Sequence, residues 1–399
     1  MRLTADQERL LAGDRGPAAA KAMEILVALG QVFDAERLLP VTSVQVSGVS
    51  YGNLGDEGLA YLEELAKDGR AVVPTTLNPA GMDLSQPERM GLDAEFIERQ
   101  RRVVSAYHRL GAAVSCTCTP YLAGNLPAPG DTLAWSESSA VTYANSVLGA
   151  RTNREGGPSA LAAALTGFTP AYGLHLAEER RPRVRYRLDG TPPDPRAWGL
   201  LGRILGERSD GQVAYVEVPG PPPGVEALKA LSAALPTYGG APMFLLAGVS
   251  PEAERYPLPD AVEPLALEAL MALAEREGAP GSLAPDLICL GCPHATLAEI
   301  QHIADRLEGQ LVLTDFWICT SRPVKALADS LGLTARLEQA GALVLTDTCF
   351  VVAPLKGRYR SIATNSAKGV YYAAGHGGMQ TRLLSLQDCV ELATRGGTP

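Results

Sequence analysis

Nothing in this chain of 399 residues comes near the ~18 uncharged apolar positions that a membrane-spanning helix needs. Its start, Met1-Arg2-Leu3-Thr4-Ala5-Asp6-Gln7-Glu8-Arg9, is charged and amphipathic and lacks the apolar core of a secretion signal. Positive charge is scarce too. Lys and Arg number 35 against 44 Asp and Glu, for a net charge of −9. No basic patch stands out, which argues against a nucleic-acid partner. Cysteine is sparse and odd in number, seven in all, which suits reduced thiols better than a disulfide framework. No short repeat or low-complexity tract is evident. These absences point to a soluble, cytoplasmic protein.

The composition is that of a globular chain, 46 % apolar and 20 % charged, with length enough for two or three domains. Thr4 and Gln7 have the spacing of a reciprocal helix cap. A second helix is predicted from about Ala18 to Leu29, ending at Gly30. Val41–Val49 reads as a strand, Glu57–Lys67 as a helix, Arg70–Pro74 as a strand, Ala94–Leu110 as a helix and Ala112–Cys116 as a strand. Trp135–Val147 reads as a helix that is unusually polar at Ser136, Glu137, Ser138 and Asn145. Proline clusters at 185–196 and 218–224 interrupt the pattern. Strand–helix units resume at Leu287–Leu290, Leu297–Leu307, Gln310–Thr314, Val324–Leu331 and Leu343–Leu345. The alternation implies an α/β fold with mainly parallel sheets, in lobes 1–184, 185–280 and 281–399. Ligands of such sheets bind at the carboxyl ends of the strands.

Three cysteine-bearing stretches sit where apolar runs end: Cys116-Thr117-Cys118-Thr119-Pro120-Tyr121, Cys289-Leu290-Gly291-Cys292-Pro293-His294 and Asp347-Thr348-Cys349. Three thiolates from three loops in a reduced setting suggest an iron–sulfur cluster. Cys116 competes with Cys118, because strand alternation would put both on one face. Cys289 and Cys292 have a spacing that also suits zinc, with His294 as a further ligand. Cys319 and Cys389 read as small core residues. Three ligands on a four-iron cluster would leave one iron open as a Lewis acid for a leaving hydroxyl, which makes dehydration the natural reaction class. Arg151 and Arg154, with Gly156, Gly157 and the helix that follows, have the makings of an anion site. A second polar loop, Thr364-Asn365-Ser366-Ala367-Lys368, follows a strand-like run. His175, between apolar residues, reads as a hydrogen-bonded core histidine.

Nearly the whole chain resembles the large subunit of aconitase X, a divergent branch of the aconitase superfamily. The resemblance rests on Ser47-Gly48-Val49-Ser50-Tyr51, Pro74-Thr75-Thr76-Leu77-Asn78-Pro79, the Cys-Thr-Cys-Thr-Pro-Tyr run, Ala134-Trp135-Ser136-Glu137-Ser138, Ala144–Arg154, Gly291-Cys292-Pro293-His294, Asp347-Thr348-Cys349 and Thr364–Lys368. It implies an aconitase-like α/β hydro-lyase built around a central iron–sulfur site. The cluster would be of the [4Fe-4S] type with one open iron, held by Cys118, Cys292 and Cys349. By the same resemblance Lys368, Ser366 and Asn365 are catalytic candidates. Ser47, Gly48, Thr75, Asn78, Asn145, Ser146, Arg151, Asn153, Arg154, Gly157 and Ser159 are substrate-binding candidates. A small swivelling domain that supplies a serine base in this family is expected on a separate small subunit, giving a heterodimer. One branch of the family dehydrates mevalonate 5-phosphate in an isoprenoid route; another dehydrates cis-3-hydroxy-L-proline. The run Glu155-Gly156-Gly157-Pro158-Ser159 and Cys292 before Pro293-His294 resemble the first branch, and a phosphorylated hydroxy acid suits the arginine–glycine cluster. Gln45 departs from the histidine expected in the pattern before Ser47-Gly48. A zinc-holding scaffold subunit is the reading of a different class.

Overall fold

Thr4 and Gln7 do form the reciprocal cap: Gln7 N donates to Thr4 Oγ1 at 3.3 Å and Thr4 N donates to Gln7 Oε1 at 3.0 Å. They open a computed structural model that describes residues 1–395. The chain divides into two units, Met1–Arg181 and a second that begins at Pro182.

The first unit runs α1 (Ala5–Leu11), α2 (Pro17–Val32), β1 (Leu38–Pro40), β2 (Ser43–Val46), α3 (Tyr51–Leu65), β3 (Thr75–Leu77), α4 (Ala94–Arg109), β4 (Leu133–Trp135), α5 (Ser138–Tyr143), α6 (Gly157–Thr166) and β5 (Phe168–Pro170). Strands β3, β2 and β4 form a parallel sheet in that order, and β1 pairs antiparallel with β5. Val44, Val46, Leu77 and Ala134 point into one apolar core with α2, α4 and α6. By alternation Ser43, Gln45, Thr76 and Trp135 point to the opposite face.

Several expected boundaries move. The strand expected at 41–49 is shorter, β2 over 43–46, with β1 lying before it, and β3 starts only after Pro74. Residues 112–116 make one bridge, Thr76 to Ala113, because Cys116 adopts a left-handed backbone with φ 38° that ends the extended run. Trp135 closes a strand, and the helix expected from it starts at Ser138.

The second unit contains β6 (Val184–Leu188), α7 (Pro195–Ser209), β7 (Ala214–Glu217), α8 (Val225–Gly239), β8 (Phe244–Leu246), β9 (Glu263–Leu265), α9 (Leu267–Gly278), β10 (Leu287–Ala295), α10 (Leu297–Arg306), β11 (Asp315–Thr320), α11 (Arg322–Ser330), α12 (Leu333–Gln339), β12 (Leu343–Thr346), β13 (Ser361–Thr364), α13 (Ala367–Gly375), β14 (Gln380–Leu383) and α14 (Leu386–Arg395). Its sheets are parallel throughout, ordered β8-β7-β6-β9 and β12-β11-β10-β13-β14. The break expected at 185–196 holds a strand, since its prolines follow β6 and one of them, Pro195, opens α7. The strand expected at 310–314 lies later, at β11.

Helices α7 and α8 approach through glycine. A Cβ on Gly206 would stand 2.6 Å from the Leu235 carbonyl oxygen, closer than packed atoms allow. Gly206→Ala is therefore expected to destabilise the chain by about 1–3 kcal/mol, read as a lower denaturant midpoint with an unchanged slope. A wild-type midpoint would show that the two helices part without cost.

Candidate active site

In the first unit the carboxyl ends of β2, β3 and β4 release the segments that carry most candidate residues. Their backbone is tied across: Asn78 N donates to Val46 O at 2.9 Å, Ser136 N to Gln45 O at 3.0 Å and Thr117 N to Leu77 O at 2.9 Å. The Thr117–Cys118 segment thus runs alongside the end of β3. Gln45, fully buried, donates from Nε2 to Thr117 O at 3.0 Å, and its Oε1 has no partner. Asn78 donates from Nδ2 to Glu137 Oε2 at 2.7 Å, leaving its Oδ1 open in the same way. Glu137 caps α5 and accepts from Ser139 N and Oγ at 3.4 and 3.1 Å. Thr75 pairs with Val44 and donates its hydroxyl to Val73 O at 2.9 Å. That places it on the core face, so the structure does not bring Thr75 to the polar surface where Thr76 lies.

The anion-loop candidates separate into a frame and an open edge. Asn145 lies in a π-turn over Ala144–Leu148, and its carboxamide exchanges hydrogen bonds with the backbone of Thr152 at 2.9 and 3.1 Å. Ser146 is buried in the same turn. Asn153 is spent on Tyr172 O and Leu174 N at 3.0 and 2.8 Å. Ser159 donates to Glu155 Oε2 at 2.6 Å and Thr169 donates to Oε1 at 3.1 Å. Burial pushes the Glu155 carboxyl up, against the pull of those two hydroxyls. Arg154 is exposed, next to the start of α6. A Cβ on Gly157 would meet Ser47 O at 2.9 Å, so the 47–48 turn and the helix start lie against each other.

Arg180 holds this frame and was not among the residues singled out from the sequence. Fully buried, it donates to Asn145 Oδ1 (3.0 Å), Asn145 O (3.2 Å), Ala150 O (3.1 Å) and Leu174 O (3.1 Å). It sits in a run of charged residues, Glu178-Glu179-Arg180-Arg181, that reads as a solvated turn. Arg151 donates to His175 O at 3.2 Å. His175 is buried as expected, but neither ring nitrogen has a hydrogen-bond partner. Burial first, then the charges of Arg180 and Arg151, push the imidazole down to about 4.

In the second unit the strand order reverses direction between β10 and β13, the point where open parallel sheets leave a crevice. Cys292 lies in the irregular stretch of β10 between Leu290 and Ala295, where the register against β11 shifts, and Asn365, Ser366 and Lys368 follow β13. A cleft brings Cys292, Pro293, Asn365 and Ser366 together with Lys229 and Glu299. Ser366 caps α13, accepting from Gly369 N at 2.9 Å. Lys368 is buried one step further on, its Nζ 5.9 Å from the Tyr372 ring centre. Cys349 follows β12 through Asp347, which has φ 66° and accepts both Arg322 Nε and Nη2 at 2.7 and 3.0 Å.

The seven cysteines are all buried thiols, but not equally. Cys116, Cys289, Cys319 and Cys389 are 0 % exposed, whereas Cys118, Cys292 and Cys349 keep 7, 8 and 6 %. The three with an opening are the three expected to hold a cluster, and soft thiolates at strand ends are the donors iron–sulfur groups take. Each of the three, taken by itself, has the donor chemistry such a group takes. Among the described residues no cluster of three or more His, Cys, Asp or Glu is gathered around one metal-ion position. The zinc set is not assembled: Cys289 Sγ lies 3.8 Å from Cys319 Sγ, and His294 Nε2 lies 2.9 Å from Thr348 O. Burial also pushes the Cys289 thiol up, away from a thiolate.

Comparison with known proteins agrees along the whole chain. Family models described as the aconitase X first, second and third domains match residues 1–178, 182–270 and 285–395. The chain is 46 % identical to the phosphomevalonate dehydratase large subunit of Methanothermobacter thermautotrophicus, covering 94 % of each chain. To that of Thermococcus kodakarensis it is 43 % identical over 98 % of this chain and 100 % of the other. The cis-3-hydroxy-L-proline dehydratase of Pseudomonas aeruginosa is 35 % identical, and the chain covers 71 % of its length. A crystal structure of Thermococcus kodakaraensis aconitase X in its holo-form superposes with a TM-score of 0.91 at 42 % identity, over 98 % of this chain and 100 % of that one.

His175 gives this unit a pH signature. Its folded value lies below the 6.5 of the free side chain, so its contribution is complete above pH 6.5 and lost as pH falls toward about 4. Between those limits the chain should lose roughly 3 kcal/mol more than His175→Leu does. Parallel stability–pH curves for the two would place His175 in contact with water.

Proposed function

The chain belongs to the aconitase X family, and we infer that it is the large subunit of a phosphomevalonate dehydratase. This hydro-lyase removes the C3 hydroxyl of mevalonate 5-phosphate as water to give anhydromevalonate 5-phosphate. The carrying observation is that the chain matches the archaeal large subunits from end to end, whereas the hydroxyproline enzymes are more distant and longer. An exposed Arg154 beside the first turn of α6 is also what a phosphate asks for, a forked cation next to free backbone N–H groups.

In this reading Cys118, Cys292 and Cys349 would hold an iron–sulfur cluster of the [4Fe-4S] type. When bound, such a group supplies Lewis acidity to a hydroxyl that departs as water. Arg154, Ser47, Gly48 and Gly157 bind and orient the phosphate end. Asn365 and Ser366, at the start of α13, orient the polar groups of the substrate near Cys292. Asn145, Ser146, Asn153 and Arg151 act mainly by fixing the loop that presents Arg154. The relatives' names imply a separate small subunit, and we assign to it the base that takes the substrate C–H proton.

Two experiments test this. With the chain co-expressed with its small subunit and purified without oxygen, mevalonate 5-phosphate should be dehydrated and cis-3-hydroxy-L-proline should not. Turnover of hydroxyproline alone would overturn the assignment while keeping the family. Cys349→Ala should lose the brown chromophore, and an unchanged visible spectrum would remove Cys349 from the ligand set.

A further inference from the structure

We infer that His294 is a positioning residue that braces the segment carrying Cys292 against the segment carrying Cys349. Strands β10 and β12 are not neighbours, since β11 lies between them. Their carboxyl ends are nonetheless joined by one side chain. The His294 ring is fully buried, and its Nε2 lies 2.9 Å from the carbonyl oxygen of Thr348. A carbonyl can only accept, so Nε2 carries the proton and donates. Cys292 lies two residues before His294, and Cys349 directly follows Thr348.

Both ends of the brace are themselves anchored. Lys229, 3 % exposed, donates to His294 O at 3.0 Å and pairs with Glu299. Glu299 in turn accepts from Thr296 N at 2.8 Å in the cap of α10. On the other side the two hydrogen bonds from Arg322 fix Asp347, next to Thr348. At the start of the Cys292 segment, the backbone of Gly291 lies directly against that of β11: a Cβ there would stand 2.0 Å from Cys319 O. The ring of His294 is therefore a strut of fixed length between two anchored points. It sets the spacing of the thiols that follow and precede it. The consequence for cluster loading rests on the ligand set proposed above; the brace itself does not.

The test compares the full chain with His294→Leu, which removes the donor, and His294→Gln, whose Nε2 can replace it. Deuterium exchange is read on the unloaded protein at Val352 and Ala353, whose N–H groups donate to Cys349 O at 3.1 and 3.0 Å. Iron and sulfide per chain are read after anaerobic reconstitution. We expect His294→Leu to speed exchange at those two amides and to weaken iron retention roughly 10-fold, the usual effect of losing a partner behind a metal ligand. His294→Gln should restore both. If His294→Leu does not fold, His294→Asn, which is too short to reach Thr348 O, takes its place. Wild-type exchange and iron content in a folded His294→Leu would overturn the brace. Faster exchange in His294→Leu, with no iron taken up even by the wild type, would sustain the brace and remove the cluster.

Discussion

Parallel pairing is the constraint on which the rest of this structure depends. When every strand of a sheet points the same way, every loop that leaves a strand end emerges along one edge. In the five-stranded sheet the next helix starts almost at once: α10 follows β10, α11 follows β11, α13 follows β13 and α14 follows β14, each after one or two residues. Their first turns lie along that edge, and those of α10, α13 and α14 are capped by the hydroxyls of Thr296, Ser366 and Ser385. Strand β12 is the exception. The chain after it runs through residues 347–360 without a helix, and that stretch carries Cys349. The edge thus carries a helix start at four positions and Cys349 where that pattern is broken.

The polar groups buried behind these edges are poor investments in stability. Desolvating Arg180 or the Lys229–Glu299 pair costs about as much as the hydrogen bonds return. What they supply is a single arrangement of chain. Arg180 reaches the carbonyls of residues 145, 150 and 174, which belong to three separate turns. It adds to the ties that Asn145 and Asn153 make among the same segments, and with them fixes the start of the loop presenting Arg154. Glu155 works at the other end of that loop, where two hydroxyls donate to a carboxyl that burial pushes up.

How far the sequence disclosed this depends on which physical signal each residue sends. The amphipathic helices and the parallel α/β character were legible, because burial of one face writes itself as periodicity. Boundaries were not legible where backbone geometry overrode propensity, as at Cys116 and Trp135. Thr75 and Thr76 are adjacent and chemically identical, and only the register of β3 against β2 decides which faces the core. The cysteine stretches could be found by eye, but Arg180 could not. A guanidinium that is buried because carbonyls from distant turns converge on it looks, in one dimension, like any surface arginine. His175 shows the converse: its apolar flanks disclosed burial, but not that its nitrogens would lack partners.

Each of the three cysteines that keep an opening follows a left-handed residue by one or two positions. Cys116 with φ 38° precedes Cys118, Gly291 with φ 96° precedes Cys292, and Asp347 with φ 66° precedes Cys349. Two of these three are not glycine, so the backbone is held there at a cost on the order of 1–3 kcal/mol each. An extended strand would alternate its side chains and send a sulfur to the apolar face or the pairing edge, as it does for Cys289. A single left-handed residue turns the chain off that alternation and lets the next thiol take another direction. The same conformational device, repeated beside three cysteines far apart in sequence, is hard to explain by packing, which each site could satisfy more cheaply with an alanine. It is explained if each of these sulfurs has a use that needs it aimed out of the packed core and in a fixed direction.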